Sequence, residues 1–277
     1  MGIAGPWETL EVEIDGPIVV VTLNRPERLN AMSPTMLKEL GLFWDEFEAN
    51  KDLRVGVITG AGDRAFCSGG EVSSVADTSR KRTGVLEHEL HFTPFQAKVS
   101  KPTICAVNGV CAGGGLHFVA ECDFSIAARR ATFVDPHVTV GQVSAIETLV
   151  LSRKIGHQAV MRMILMGSAE RINSQRALEL GIVTEVVDDD QLLVRAKEIA
   201  HAIAKNSPTA ISLSRFVLWQ GLEQPMTDAL RQGFSLLRAH ADHHPDAQEG
   251  PAAYMAKREA TWADLEPGGP LAHRPLE

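Results

Sequence analysis

No run of apolar residues in this chain approaches the ~18 that a membrane-crossing helix needs. The start, Met1-Gly2-Ile3-Ala4-Gly5-Pro6-Trp7-Glu8, also lacks the basic and apolar segments of a secretory signal. Neither membrane spanning nor export is therefore expected. Cysteine is scarce: Cys67, Cys105, Cys111 and Cys122 are the only four, and none shows CxxC spacing, which argues against a disulfide framework or a zinc ribbon. Reduced thiols imply a cytoplasmic setting, and no metal is expected. Positive charge is short as well. Lys and Arg number 27 against 35 Asp and Glu, a formal net charge of −8, with no basic cluster. That balance gives no electrostatic footprint for nucleic acid or for an anionic membrane surface. What is present is the composition of a globular chain, 44% hydrophobic and 22% charged over 277 residues, enough to bury a sizeable core.

Leu10 to Ile14 alternates apolar and charged residues, Asp15-Gly16-Pro17 turns, and Ile18 to Leu23 is β-branched and apolar, which together predict a hairpin. Asn24 to Met32 interrupts as a loop. Ser33-Pro34 then reads as a helix cap, followed by Met36, Leu37, Leu40, Phe43, Trp44 and Phe47 at helical spacing. Strand Val55 to Thr59 follows, so the order strand, helix, apolar strand implies a crossover to a parallel neighbour. A helix is also expected within Arg80 to Val99, with His88 and His91 on it or near it. From Ile146 onward the pattern is mainly helical. The expected organisation is an α/β core over residues 1–200 and a helical oligomerisation region over 201–277.

Two glycine-bearing turns stand out. Strand Val55 to Thr59 leads into Phe66-Cys67-Ser68-Gly69-Gly70, and strand Thr103 to Val107 leads into Asn108-Gly109 and Gly113-Gly114-Gly115, with an apolar helical run behind. Such a turn serves either tight packing or the presentation of bare backbone N–H groups to an anion or a developing oxyanion. In open α/β sheets ligands collect beyond the carboxyl ends of strands, so two such turns can face one pocket.

Asn24-Arg25-Pro26 with Leu29-Asn30-Ala31, Phe66-Cys67-Ser68-Gly69-Gly70, Lys101-Pro102, Ala106-Val107-Asn108-Gly109 with Gly113-Gly114-Gly115, Cys122-Asp123 and Ala177 to Val183 together resemble the enoyl-CoA hydratase/isomerase family, the crotonase superfamily. The resemblance runs over roughly residues 8 to 260. It implies an α/β fold, a crotonase-type spiral of ββα units with a C-terminal helical trimerisation region. It further implies trimers or dimers of trimers, and acyl-CoA thioester substrates with no other cofactor. Gly70 and Gly114 would be the oxyanion donors. Arg28, the neighbouring Arg25 and the backbone at Ala65 would lie in the CoA-binding region.

Hydratases of this family carry one glutamate two residues after the triple glycine and another directly after a proline in the next loop. The matching positions here hold His117 and His137. Either the histidines are merely tolerated in a degenerate site, or the acid–base work has been rebuilt on imidazole, whose pKa suits it. The expectation taken forward is a His117/His137 pair. Asp135 is a possible orienting partner for His137, Glu147 a possible carboxylate near the substrate, and Ser144 a helix cap. Hydration or a proton shift is the expected reaction. The alternatives are a C–C bond or thioester hydrolase of the same superfamily, and a catalytically impaired acyl-CoA-binding protein. The nucleophilic aspartate of the related aryl-CoA dehalogenases falls where this chain has Ala145.

Overall fold

The computed structural model describes residues 3, 5, 7–71 and 90–268. The expected hairpin forms: β1 (Leu10–Asp15) pairs antiparallel with β2 (Ile18–Leu23) across Gly16. Ser33 accepts a hydrogen bond from the Met36 N–H at 3.1 Å, and Pro34 opens helix α1 (Pro34–Ala49). That helix carries the chain across to β3 (Val55–Gly60), which lies parallel to β2. Strands β5 (Thr103–Val107), β7 (Phe124–Ala128) and β10 (Glu185–Val187) extend the sheet in parallel, giving the order β1-β2-β3-β5-β7-β10.

One expectation changes here. The glycine turns were read as passing directly from strand to helix, but a short strand of a second sheet comes first each time. β4 (Ala65–Cys67) follows β3, β6 (Val110–Ala112) follows β5, and β8 (Thr132–Val134) follows β7. These three run parallel, and β9 (Ile172–Asn173) closes the second sheet antiparallel to β8. Asn108 ties two of the corners together: its carbonyl accepts from the Gly60 N–H at 3.1 Å and its amide donates to the Gly62 carbonyl at 2.8 Å. The triple glycine is therefore a 3₁₀ turn between β6 and helix α2 (Leu116–Glu121).

Alternation along the large sheet sorts its two faces. Val19, Val21, Ile58, Cys105 and Val107 face a core shared with Phe43, Trp44 and Phe47 of α1 and Phe118 of α2. Ile18, Val20, Val57, Ile104 and Ala106 face the other way, toward Leu192, Ala196, Ala200 and Ala204. Each fully buried large side chain contributes about 1.5–3 kcal/mol, so this two-faced burial is what fixes the register.

The chain continues from the second sheet through α3 (Ile146–Ile155), α4 (His157–Met166) and α5 (Ser174–Leu180) to α6 (Leu192–Ala204). Helix α6 packs on the sheet and runs across residue 200. After it comes a helical segment of α7 (Pro208–Gly221), α8 (Met226–His243) and α9 (Asp246–Met255). Asp123 anchors it to the core by accepting from Arg215 Nε at 2.6 Å, Trp219 Nε1 at 3.0 Å and the Thr103 N–H at 2.8 Å. Of the segment from 80 to 99, residues 90–99 form bends rather than helix. His88 lies outside the described residues. No helix among the described residues is long and apolar enough to cross a membrane.

Candidate active site

The two glycine turns meet. A Cβ placed on Gly69 would stand 3.2 Å from the Gly114 nitrogen, and one on Gly114 would stand 3.5 Å from the Gly70 nitrogen. The first turn is held by strand-like pairing with the loop before α1: Met32 N–H donates to the Gly69 carbonyl at 2.8 Å and Glu71 N–H to the Met32 carbonyl at 3.1 Å. The second turn needs Gly113, whose φ of +50° lies in the left-handed region. Of the five glycines in the two turns, Gly69, Gly113 and Gly115 are buried, whereas Gly70 is exposed and Gly114 half-buried. Among the described residues neither the Gly70 nor the Gly114 N–H donates to a backbone acceptor. The two reachable, unspent N–H groups are thus the two that the family resemblance points to.

His117 sits in the first turn of α2 and is buried, 7% exposed. Its Nδ1 is 2.7 Å from Glu121 Oε1, one helical turn on, and its Nε2 is 3.3 Å from Glu147 Oε2. The second oxygen of Glu121 accepts from the Thr93 hydroxyl, while the Phe92 ring packs edge-on against the imidazole at 5.1 Å. Both ring nitrogens of His117 therefore face carboxylates.

His137 follows Pro136 at the start of a 3₁₀ turn, His137–Val140. Asp135 accepts from the His137 backbone N–H at 3.1 Å and holds Nδ1 at 2.6 Å with the same oxygen. One Asp135 oxygen thus contacts both the backbone and the imidazole of His137. Its other oxygen accepts from Ser144 at 2.5 Å. Ser144 is not the helix cap that its position suggested: the cap residue of α3 is Ala145, and the Ser144 hydroxyl is spent on Asp135. The His137 side chain is a quarter exposed, and among the described residues only Nδ1 is engaged. Its Cε1 lies 3.6 Å from where a Cβ on Gly113 would be, beside the oxyanion turn.

Glu147, the second residue of α3, is 4% exposed and reaches between the two histidines, with Oε1 3.3 Å from His137 Nδ1 and Oε2 3.3 Å from His117 Nε2. A carboxylate thus stands between His117 and His137. The Asp135 hydrogen bond raises the His137 pKa above its ordinary 6.5, against the opposing effect of burial, and Glu147 adds to the rise. Burial pushes Asp135 up, but the bonds from His137 and Ser144 outweigh it and hold the carboxyl below the usual range. Behind the turns, burial drives the Cys67 thiol up to about 12 and raises Cys105 and Cys111, so none of these is a nucleophile.

Two other groups single themselves out differently from expectation. Arg25 does not point outward: its guanidinium pairs with Glu71 at 2.7 Å and donates to the Ala31 carbonyl at 2.8 Å, bracing the Gly70 loop. His91 lies against Asp45 at 3.0 Å, away from the imidazole pair. Arg28 is exposed. Close to it Asn30, Arg64 and Ala65 line a cleft of about 180 Å³, and the Ala65 carbonyl there accepts from the Asn30 amide at 2.8 Å. Glu121 and Thr93 were not anticipated. The signal for Glu121 was its place four residues after His117 on one helix face, masked by an otherwise apolar run.

Against known proteins, the sequence pattern of the enoyl-CoA hydratase/isomerase family matches residues 13–265. The chain is 33% identical over 223 residues to a short-chain-enoyl-CoA hydratase of Clostridium acetobutylicum, covering 79% of this chain and 84% of that one. It is 30% identical over 258 residues to the carnitinyl-CoA dehydratase of Escherichia coli, covering 92% and 98%. Among solved structures, an enoyl-CoA hydratase/isomerase from Mycobacterium paratuberculosis superposes with a TM-score of 0.83 at 37% identity, over 94% of this chain and 99% of that one. With this fold, these two glycine turns and these matches, the chain belongs to the enoyl-CoA hydratase/isomerase family.

Proposed function

We propose that the protein is an acyl-CoA-dependent lyase or isomerase in which Gly70 and Gly114 hold the thioester oxygen and His137 moves protons, with His117 and Glu147 beside it in support. The observation that carries this reading is the placement of an Asp135-oriented imidazole beside two unspent backbone N–H groups. In hydration, His137 Nε2 removes a proton from water and the hydroxyl adds to the β-carbon. The double-bond electrons then shift onto the thioester oxygen as an enolate, and the α-carbon collects a proton from the imidazolium. Asp135 stabilises that imidazolium, as the buried aspartate of a triad does. Fixed N–H donors aimed at the developing oxyanion need no reorganisation, and each is worth about 3 kcal/mol in other enzymes. For a double-bond shift no water adds. His137 Nε2 would remove the α-carbon proton of a β,γ-unsaturated thioester while Gly70 and Gly114 hold the dienolate oxygen. The imidazolium would then return the proton to the γ-carbon as the double bond moves into conjugation. His117, with both nitrogens facing carboxylates, acts on Glu147 rather than on the substrate.

The CoA portion would extend past Ala65 toward the exposed Arg28. The apolar stripe Met226, Leu230, Phe234 and Leu237, exposed on α8 at helical spacing, supports assembly into trimers or pairs of trimers. The four buried thiols suit a cytoplasmic setting.

A second reading has a specific observation behind it: an imidazole held at 2.6 Å by a buried aspartate also suits activation of water for attack on a carbonyl, which would make the protein a thioester or C–C hydrolase. Incubation with enoyl-, β-keto- and aryl-CoA thioesters in ¹⁸O-water, followed by mass spectrometry, separates the readings. Label at the β-carbon is the expected outcome. Label in a released acid means hydrolysis, and binding without turnover of any thioester refutes the enzymatic reading.

A further inference from the structure

Glu147 is the odd carboxylate of the site. Asp135 accepts from Ser144 and from the His137 backbone, and Glu121 accepts from Thr93, but among the described residues no hydroxyl or amide donates to Glu147. Its two oxygens instead stand 3.3 Å from imidazole nitrogens in contacts that lack hydrogen-bond geometry. A charge-assisted N–H···O bond would close to about 2.7–2.9 Å, and a buried carboxylate without donors is costly. Lys154 acts on Glu121 at longer range, but no Lys or Arg forms a salt bridge with Glu121, Asp135 or Glu147 among the described residues.

A separation of 3.3 Å has another meaning. Nitrogen and oxygen ligands bound at about 2.0–2.1 Å in a tetrahedron are separated by roughly 3.3–3.4 Å. The ligand atoms of Asp135, His137 and Glu147 all lie within 4.8 Å of one another. We propose that Asp135, His137 and Glu147 form a three-ligand site for a divalent transition cation such as zinc or cobalt(II), with the fourth position left to solvent. One imidazole with two carboxylates suits these ions better than calcium, which takes six to eight oxygens. For His137 to bind through Nδ1, the proton on Nδ1 must leave to Nε2 or to solvent, and the Asp135 oxygen must open from its 2.6 Å contact by about 0.7 Å to reach that spacing. Cation and Asp135–imidazole hydrogen bond are therefore alternatives at one nitrogen. The site goes beyond the acid–base reading and does not depend on it, because binding is measured without any thioester.

The experiment titrates cobalt(II) and zinc separately into metal-free full-length protein, reading cobalt d–d absorption and zinc calorimetry. One strong equivalent is expected, with Glu147→Gln and His137→Gln each weakening it by more than the ~10–100-fold that loss of an outer ligand partner costs. The other chelating pair, His240 and His244, stacked at 4.8 Å on the far end of α8, supplies the control: His244→Gln should leave the titration unchanged. X-ray absorption on the wild-type zinc complex should show one imidazole among oxygen ligands, so the proposal stays testable if a variant fails to fold. No stoichiometric binding, binding that survives both site variants, or a shell of two imidazoles lost with His244 would overturn it.

Discussion

Replacing Asp135 with Asn keeps the shape of the loop and removes one charge from the Asp135–His137 pair. Asp135 is 1% exposed and its oxygen lies 2.6 Å from His137 Nδ1, while the His137 side chain is a quarter exposed. A hydrogen bond to a charged partner is worth about 1.5–3 kcal/mol, and one pKa unit corresponds to about 1.4 kcal/mol. Removing the carboxylate therefore lowers the His137 pKa, because the hydrogen bond to Asp135 is the largest influence raising it. The sign follows from the base role. The free enzyme is active with His137 neutral, so kcat/KM rises with pH through the His137 pKa, which Asp135 holds above 6.5. In Asp135→Asn that rise should move to lower pH. The plateau rate should also fall by at least about 100-fold, because an amide can donate to Nδ1 and leave the proton on Nε2; the matching change in a serine-protease triad costs ~10⁴. The assay is a pH–rate profile of kcat/KM on whichever thioester turns over. A midpoint that stays in place, or moves up, would refute the assignment of His137 as a base oriented by Asp135.

Two further perturbations separate fold from function. Alanine at Gly115 would put its Cβ 2.6 Å from the Cys67 carbonyl oxygen, fixed backbone, and should abolish soluble protein or lower Tm sharply. Alanine at Gly114 meets only the mobile Met32 methyl at 2.5 Å, so it should fold while crowding the oxyanion turn and losing turnover; circular dichroism beside kinetics checks both. At Lys101, 3% exposed and donating to the Phe47 and Asn50 carbonyls at 2.6 Å, burial lowers the pKa to about 8, with Glu48 opposing. Between about pH 8 and 10.5 the unfolded chain binds a proton that the folded chain has released, so stability should rise across that window, by a total on the order of 3 kcal/mol. Denaturant midpoints that are flat there would contradict it, and Lys101→Met should remove the rise.

The hairpin, the Ser33-Pro34 cap and the parallel crossover were legible because each is written in contiguous residues. The second sheet was not. Ala65–Cys67 and Val110–Ala112 are three residues long and flanked by glycine, and they are strands only because they pair with each other and with Thr132–Val134. The site divides in the same way. Gly70, Gly114, His117 and His137 could be picked from motif spacing, but the roles of Glu121 and Glu147 depend on the packing of α2 against α3, which no local pattern encodes. Glu147 reads in sequence as an ordinary first-turn acid. Only the fold turns it inward between two imidazoles.

Because hydration and isomerisation share an enolate that attack of water on the carbonyl does not need, enolate formation itself is the sharpest target. Wild-type protein and His137→Gln should be incubated in deuterium oxide with a panel of short- to long-chain saturated acyl-CoA thioesters, following deuterium at the α-carbon alongside thioester affinity. The account predicts α-carbon exchange in the wild type and at least about 100-fold slower exchange in His137→Gln at similar affinity, as loss of a general base requires. Equal exchange in the two proteins, or none with any thioester that binds, would contradict it.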